Sequence, residues 1–223
     1  MTRIIEIQGI IGAGKSSLLR AFPASDYTRV EEPVEENPWL AAFYAEYHYL
    51  RELRKCGNLS PARTTPMMEV YLQARRFNAI CQAKKGGLPI VCDFGRPVVF
   101  ARNLHAEGII SQLDFNTFLE VRNATEVIPD LVFYLDGLDR AWKAMERRGR
   151  SIEKGVPYSY QVGLDGQYRV EHDYLRGLGV PTVVFDWPDG GDLVAIEAAL
   201  RQYDFPAELD FMAFEAALKK EEK

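Results

Sequence analysis

A chain of 223 residues, 47% apolar and 26% charged, can bury a core, and its length suits one α/β domain. A formal net charge of -5 gives no overall basic field, which disfavours nucleic-acid backbone and anionic membrane as partners and favours a small-molecule substrate. The cysteines Cys56, Cys81 and Cys92 have neither paired nor metal-ligand spacing and read as reduced, structural thiols; with no basic-then-apolar leader and no run near ~20 apolar residues, the expected compartment is the cytosol.

In chain order, a strand-length apolar run at 4–7 leads into Gly-Ile-Ile-Gly-Ala-Gly-Lys-Ser at 9–16, the spacing of a phosphate-binding P-loop. Gly9, Gly12, Ala13 and Gly14 are expected to wrap their backbone around phosphate oxygens, with Ser17 in the first turn of the helix that follows. Lys15 is expected to neutralise β- and γ-phosphate charge, and the Ser16 hydroxyl to ligate Mg2+. ATP and Mg2+ are thus the implied cofactors.

Helical periodicity follows at 15–22, and a weaker strand signal at 27–30. Next come an acidic, proline-containing stretch at 31–38, helices at 38–55 and 66–84 around an exposed loop at 56–66, and an apolar strand at 89–92 that ends on Asp93. Helices at 98–107 and 111–125, a strand at 131–135, and a helix at 138–147 after Asp136, read as its cap, complete the middle. An arginine-rich turn at 147–158 precedes helix 158–176, strand 181–185, a loop at 185–192, helices at 193–203 and 206–220, and a frayed end at 219–223. This alternation predicts one domain over 1–223, with a parallel sheet of about five strands and helices on both faces. His48, His105 and His172 lack ligand-like spacing.

Four further segments, read in order over roughly 4–185, resemble the deoxynucleoside kinase family. They are Glu-Glu-Pro-Val-Glu-Glu-Asn-Pro-Trp-Leu at 31–40 with Phe43-Tyr44; Met-Met-Glu-Val-Tyr-Leu-Gln-Ala-Arg-Arg-Phe at 67–77; Asp93 with Phe-Gly-Arg-Pro-Val-Val-Phe-Ala-Arg-Asn-Leu at 94–104; and Arg-Arg-Gly-Arg-Ser-Ile-Glu-Lys-Gly-Val-Pro at 147–157. The resemblance implies a three-layer P-loop kinase with an arginine-rich lid. It implies Glu32 as general base for a deoxynucleoside 5′-hydroxyl, Tyr44 and Glu153 at the sugar 3′-hydroxyl, and Arg148 and Arg150 closing over the phosphates.

Two departures matter. Counting back from Arg76, which matches an arginine of the family helix and is a candidate substrate residue, puts Glu69 where the family has a base-reading glutamine; an ionised glutamate only accepts hydrogen bonds, which favours a guanine-like base. The bland alternative pairs Glu69 with Arg75 or Arg76. The family's Arg-Ser after the strand-end acid is missing, so Asp93 is expected in the magnesium shell through water and Arg96 near the 5′-hydroxyl in place of the absent arginine. The lid also offers Lys143 or Ala144 where the family has a further arginine. The loop at 185–192 loosely matches one framing the ATP base, and the helices around 98–125 match those of a homodimer. Competing readings are a nucleoside monophosphate kinase using Arg75, Arg76 and Arg96 for an acceptor phosphate, and a kinase-like subunit that binds nucleotide without turnover. A polynucleotide kinase fits the acidic balance poorly.

Overall fold

The computed structural model describes residues 2–34, 36–57, 62–150, 153–187 and 191–221. Expectations for residues 35, 58–61, 151–152, 188–190 and 222–223 lie outside this set. Strands β1 (Ile4–Gln8), β2 (Thr28–Val30), β3 (Ile90–Cys92), β4 (Leu131–Asp136) and β5 (Thr182–Asp186) form a parallel sheet in the order β2-β3-β1-β4-β5. The centre is set by register: Ile5 lies opposite Val91 on one side and Leu131 on the other. All five residues of β1 are buried, which is why that segment reads as a nearly continuous apolar run. Glu6 and Gln8 interrupt the run, and each is held by a buried partner, Glu6 by Arg76 and Gln8 by His172.

The helices are α1 (Lys15–Ala21), α2 (Leu40–Lys55), α3 (Thr64–Ala83), α4 (Pro97–Ala106), α5 (Gln112–Thr125), α6 (Leu138–Arg148), α7 (Tyr158–Gly177), α8 (Leu193–Gln202) and α9 (Phe211–Glu221). The path from β1 to β2 runs toward one sheet edge, and the later crossovers run back toward the other. Right-handed crossovers then put α1 on one face and α3, α4, α5 and α7 on the opposite one. Packing agrees, since α1 lies against α9 while α3 meets α5 and α4 meets α7. The chain leaves β1 and β3 toward opposite faces, so a crevice opens beyond their carboxyl ends, where ligands of such sheets bind.

Three details differ from the sequence expectations. Helix α3 begins two residues before Pro66 because the Glu46 carboxylate, on α2, accepts from the N–H groups of Arg63, Thr64 and Thr65 and from the Thr65 hydroxyl. Asp136 does not cap α6; Gly137, at φ 126°, occupies that position, and Asp136 accepts from the Gly137 N–H. The last helix starts at Phe211 rather than 206, because the preceding stretch is tied down in non-helical form: Tyr27 donates to the Pro206 carbonyl, Leu209 N–H to Glu197, and Asp210 N–H to the Ala21 carbonyl. Ser111 and Asp114 form a reciprocal capping box that starts α5 where its sequence suggested. No described helix is long and apolar enough to cross a membrane.

Candidate active site

The turn after β1 needs glycine for two separate reasons. Gly12 and Gly14 adopt φ of 84° and 89°, and a Cβ at Gly12 would stand 2.3 Å from the Ala141 carbonyl oxygen of α6. Gly14 is also the N-cap of α1 and brings no side-chain cap, so the first amides of that helix point at whatever anion occupies the loop. Lys15 bends back over the loop, its Nζ donating to the carbonyls of Gly9 at 2.8 Å and Ile10 at 3.0 Å. Arg140 of α6 braces the same turn by donating to the Ala13 carbonyl at 3.0 Å. The ring of Trp187 stands over Gly14, where a Cβ would meet its Nε1 at 3.3 Å; this brings the beginning of the 185–192 loop to the P-loop.

Beside this turn opens a cleft of ≈ 590 Å³. Gly12, Lys15, Ser16, Glu32, Tyr44, Asp93, Arg148, Arg150 and Glu153 line it, so most of the expected polar residues converge from three strand ends, α2 and the lid. Gly9, Ala13 and Gly14 in the turn and Ser17 in α1 do not line the cleft; the Ser17 side chain is fully buried and its hydroxyl has no hydrogen-bond partner among the described residues. The apolar wall was not foreseen. It contains Phe43, Met68, Leu72, Phe100 and Tyr160, of which only the Met68–Leu72 spacing left a helical-face signal in the sequence.

The carboxylates are arranged around the phosphate loop. Asp93, at the end of β3, accepts from the Ser16 hydroxyl and from the Glu32 backbone N–H at 3.1 Å. Burial pushes its carboxyl up, against the pull of those two hydrogen bonds and of Lys15. Two hard oxygen donors of neighbouring elements, Ser16 Oγ and Asp93, suit a small divalent cation whose remaining positions go to phosphate and water. That fits the donor chemistry of the loop, while no group of three or more His, Cys, Asp or Glu among the described residues makes a self-contained metal site.

Glu32 carries the larger perturbation. Burial raises its carboxyl to about 7; Asp93 and Glu153 add to the rise, and Lys15 and Arg150 oppose it. A carboxyl poised near neutrality in a cleft suits a group that accepts a proton and returns it. In the lid, both Glu153 oxygens accept from Arg148 at 2.8 Å, and Arg150 lies 3.5 Å from the same carboxylate. Tyr44 faces this cluster, its hydroxyl pushed above the usual phenol range by burial and by Glu153 and Glu32. Lys143 and Ala144 do not line the cleft.

Three expected residues stand elsewhere or in another state. Arg96, expected beside the acceptor hydroxyl, is 3% exposed and spends its guanidinium on Glu171 at 2.7 Å, Glu6 at 3.3 Å and Glu126. Arg76 is likewise buried against Glu6, and burial followed by the nearby Arg96 charge lowers it to about 10. Arg102 and Arg122 complete this network through Glu171. The carboxylates that claim these arginines come from β1, the C-cap of α5 and α7, which nothing in the local sequence around residue 96 announces. Glu69 is fully buried and pairs with neither neighbour, because Arg75 goes to Glu36 and Arg76 to Glu6. Burial, then Glu32, holds its carboxyl well above the usual range, which works against the ionised glutamate assumed for a guanine-like preference.

A parallel sheet that delivers a glycine-lined phosphate turn, a lysine, a serine and strand-end acids to one crevice defines a P-loop kinase of the α/β class. The sequence model described as "Deoxynucleoside kinase" matches residues 5–201, and the chain belongs to that family. It is 27% identical over 205 residues to a deoxyguanosine kinase of Dictyostelium discoideum, covering 86% of this chain and 66% of that protein. A deoxyadenosine kinase of the same organism is 26% identical over 195 residues, covering 83% of this chain and 72% of its own. Among solved structures, deoxyadenosine kinase from M. mycoides with bound dATP superimposes with a TM-score of 0.66 at 25% identity, over 91% of this chain and 99% of that one. The chain thus spans just under two thirds of the first of these relatives.

Proposed function

We propose that this protein transfers the γ-phosphoryl group of ATP to the 5′-hydroxyl of a deoxynucleoside. The observation that carries the reading is Glu32: a carboxyl raised to about 7, in the same cleft as Lys15 and the lid arginines. Phosphoryl transfer asks little covalent chemistry of a protein beyond positioning, charge neutralisation and an acceptor for the alcohol proton. Glu32 takes that proton, Lys15 and the amides of the turn hold the phosphates, and Arg148 and Arg150 release Glu153 to close over the transferring group. Glu153, once freed, and Tyr44 are then available to the sugar 3′-hydroxyl. Ser16 Oγ and Asp93 would hold Mg2+, which would supply charge neutralisation at the phosphates.

Both purine kinases among the relatives are compatible with this reading, and neither base is favoured by their names alone. The nucleoside monophosphate alternative has less support, because it needs cations for an acceptor phosphate and two of its three candidates, Arg76 and Arg96, are committed to buried carboxylates. A subunit that only binds nucleotide would leave a perturbed Glu32 beside an intact P-loop without a use. A single domain, a homodimer through α4 and α5, and a cytosolic setting belong to the same proposal. The test is one assay: labelled ATP, Mg2+, and deoxynucleosides beside their monophosphates at equal concentration. Labelled 5′-monophosphate from the nucleosides supports the reading; label passing only to the monophosphates overturns it.

A further inference from the structure

Gln161 lies in the first turn of α7, a fully buried polar side chain that does not line the cleft. Its Nε2 donates to the Ile11 carbonyl of the phosphate turn at 3.1 Å and to Met145 Sδ of α6 at 3.2 Å. Only the amide N–H groups can face a carbonyl oxygen, so Ile11 fixes which way this side chain points. Oε1 is left without a hydrogen-bond partner among the described residues. A buried acceptor with no donor costs folding free energy, and an unbranched apolar side chain of similar length carries no such cost. Stability is therefore a poor account of Gln161, and its two contacts give a better one.

Those contacts join three pieces of the kinase. Ile11 precedes Gly12, which lets the turn lie directly on α6: a Cβ there would stand 2.3 Å from the Ala141 carbonyl oxygen and 3.1 Å from the Met145 amide nitrogen. The Met145 carbonyl in turn accepts from the N–H of Gly149 at 3.2 Å, the residue that ends α6 directly after the lid arginine Arg148. On the far side of the lid the chain re-enters a helix at Tyr158, within about one turn of Gln161. One side chain thus ties both roots of the lid to the turn that holds the phosphates.

We propose that Gln161 is a positioning residue for phosphoryl transfer: by bridging the Ile11 carbonyl and Met145 it registers Arg148 against the triphosphate. This rests on the kinase reading above. A guanidinium that neutralises a transferring phosphoryl group acts only at the right distance and angle, so fixing the roots of the lid to the phosphate turn raises the rate with no contact between Gln161 and substrate.

The experiment is a double-mutant cycle in the full chain, with Gln161→Met, which keeps the length and removes the donor, made in the wild type and in Arg148→Met. In the wild-type background kcat/KM for ATP should fall about tenfold, the nucleoside KM should change less than about twofold, and the melting temperature should stay within about 4 °C. In the Arg148→Met background the same substitution should cost less than about twofold, because the group it positions is already gone. An equal loss in both backgrounds overturns the inference, as does wild-type activity of Gln161→Met or a loss matched by a collapse of the melting temperature. Should Gln161→Met fail to fold, Met145→Leu decides, since it removes the sulfur acceptor and keeps the bulk: a loss that Arg148→Met abolishes supports the inference, and no loss overturns it. If the wild type transfers no phosphoryl group to any deoxynucleoside, it is the proposed function that fails.

Discussion

The backbone N–H of Glu32 donates to Asp93 Oδ1 at 3.1 Å, and the same carboxylate accepts from the Ser16 hydroxyl. One acid thus fixes the distance between the proposed proton acceptor, at the end of β2, and the phosphate turn after β1, although these strands are not neighbours in the sheet. β3 lies between them and carries Asp93 at its end. Catalysis that depends on placement gains from such a fixed triangle, because misplacing a reacting group by about 1 Å costs on the order of 10²-fold.

Lys15→Ala should lower turnover by several orders of magnitude while leaving the melting temperature close to that of the wild type. It removes a fixed cation from a transition state governed by electrostatics, yet its hydrogen bonds at 2.8 and 3.0 Å go to carbonyls of its own loop. Steady-state kinetics with a thermal melt check both halves; undiminished turnover removes the P-loop from the mechanism.

Glu32→Gln should cost on the order of 10²- to 10⁴-fold in kcat, since the amide keeps the shape and cannot take the proton. In the wild type the base works ionised. With its carboxyl raised to about 7, kcat/KM should be level above that pH and fall about tenfold per unit below it. A profile flat down to pH 5 excludes Glu32 as the base.

Arg96→Met should destabilise the fold by about 3–5 kcal/mol, because it leaves Glu171, Glu6 and Glu126 short of a counter-ion in a buried setting. Its KM for the nucleoside should change little at temperatures where the variant is folded. Chemical denaturation measures the first effect. A large KM rise with normal stability would return Arg96 to the acceptor site.

Glu46→Ala should cost about 1–2 kcal/mol, the scale of a lost N-terminal cap, by releasing three backbone N–H groups at the start of α3. Burial works against the Glu46 charge, yet these bonds and the Thr65 hydroxyl hold its carboxyl below the usual range. The stabilisation is present above the unfolded carboxylate pKa and lost as pH falls through the lower folded one. Denaturation of wild type and variant at neutral and acidic pH should therefore converge in acid.

Much of the fold was legible. Each expected strand and helix is present; α2 starts at Leu40 rather than 38, and the starts of α3 and α9 moved where a distant side chain intervened, as Glu46 does at α3 and Tyr27 does before α9. The phosphate turn was legible because its glycines answer to local backbone geometry. The roles of Arg76, Arg96 and Glu69 were not. A local pattern shows an arginine near a strand end or a glutamate on a helix; it does not show that Glu6, Glu126 and Glu171 converge from three other elements to claim both arginines.

By itself, then, the sequence determined the alternation of strands and helices, the phosphate turn and the clustering of acids and arginines near it, because periodicity, glycine spacing and charge act over a few residues. Tertiary structure alone decided which charges pair, which carboxyls burial raises and which residues face the cleft. Burial and Coulomb interaction depend on distances in space, and folding brings together Glu6 and Arg76, or Ser16 and Asp93, that the chain keeps far apart.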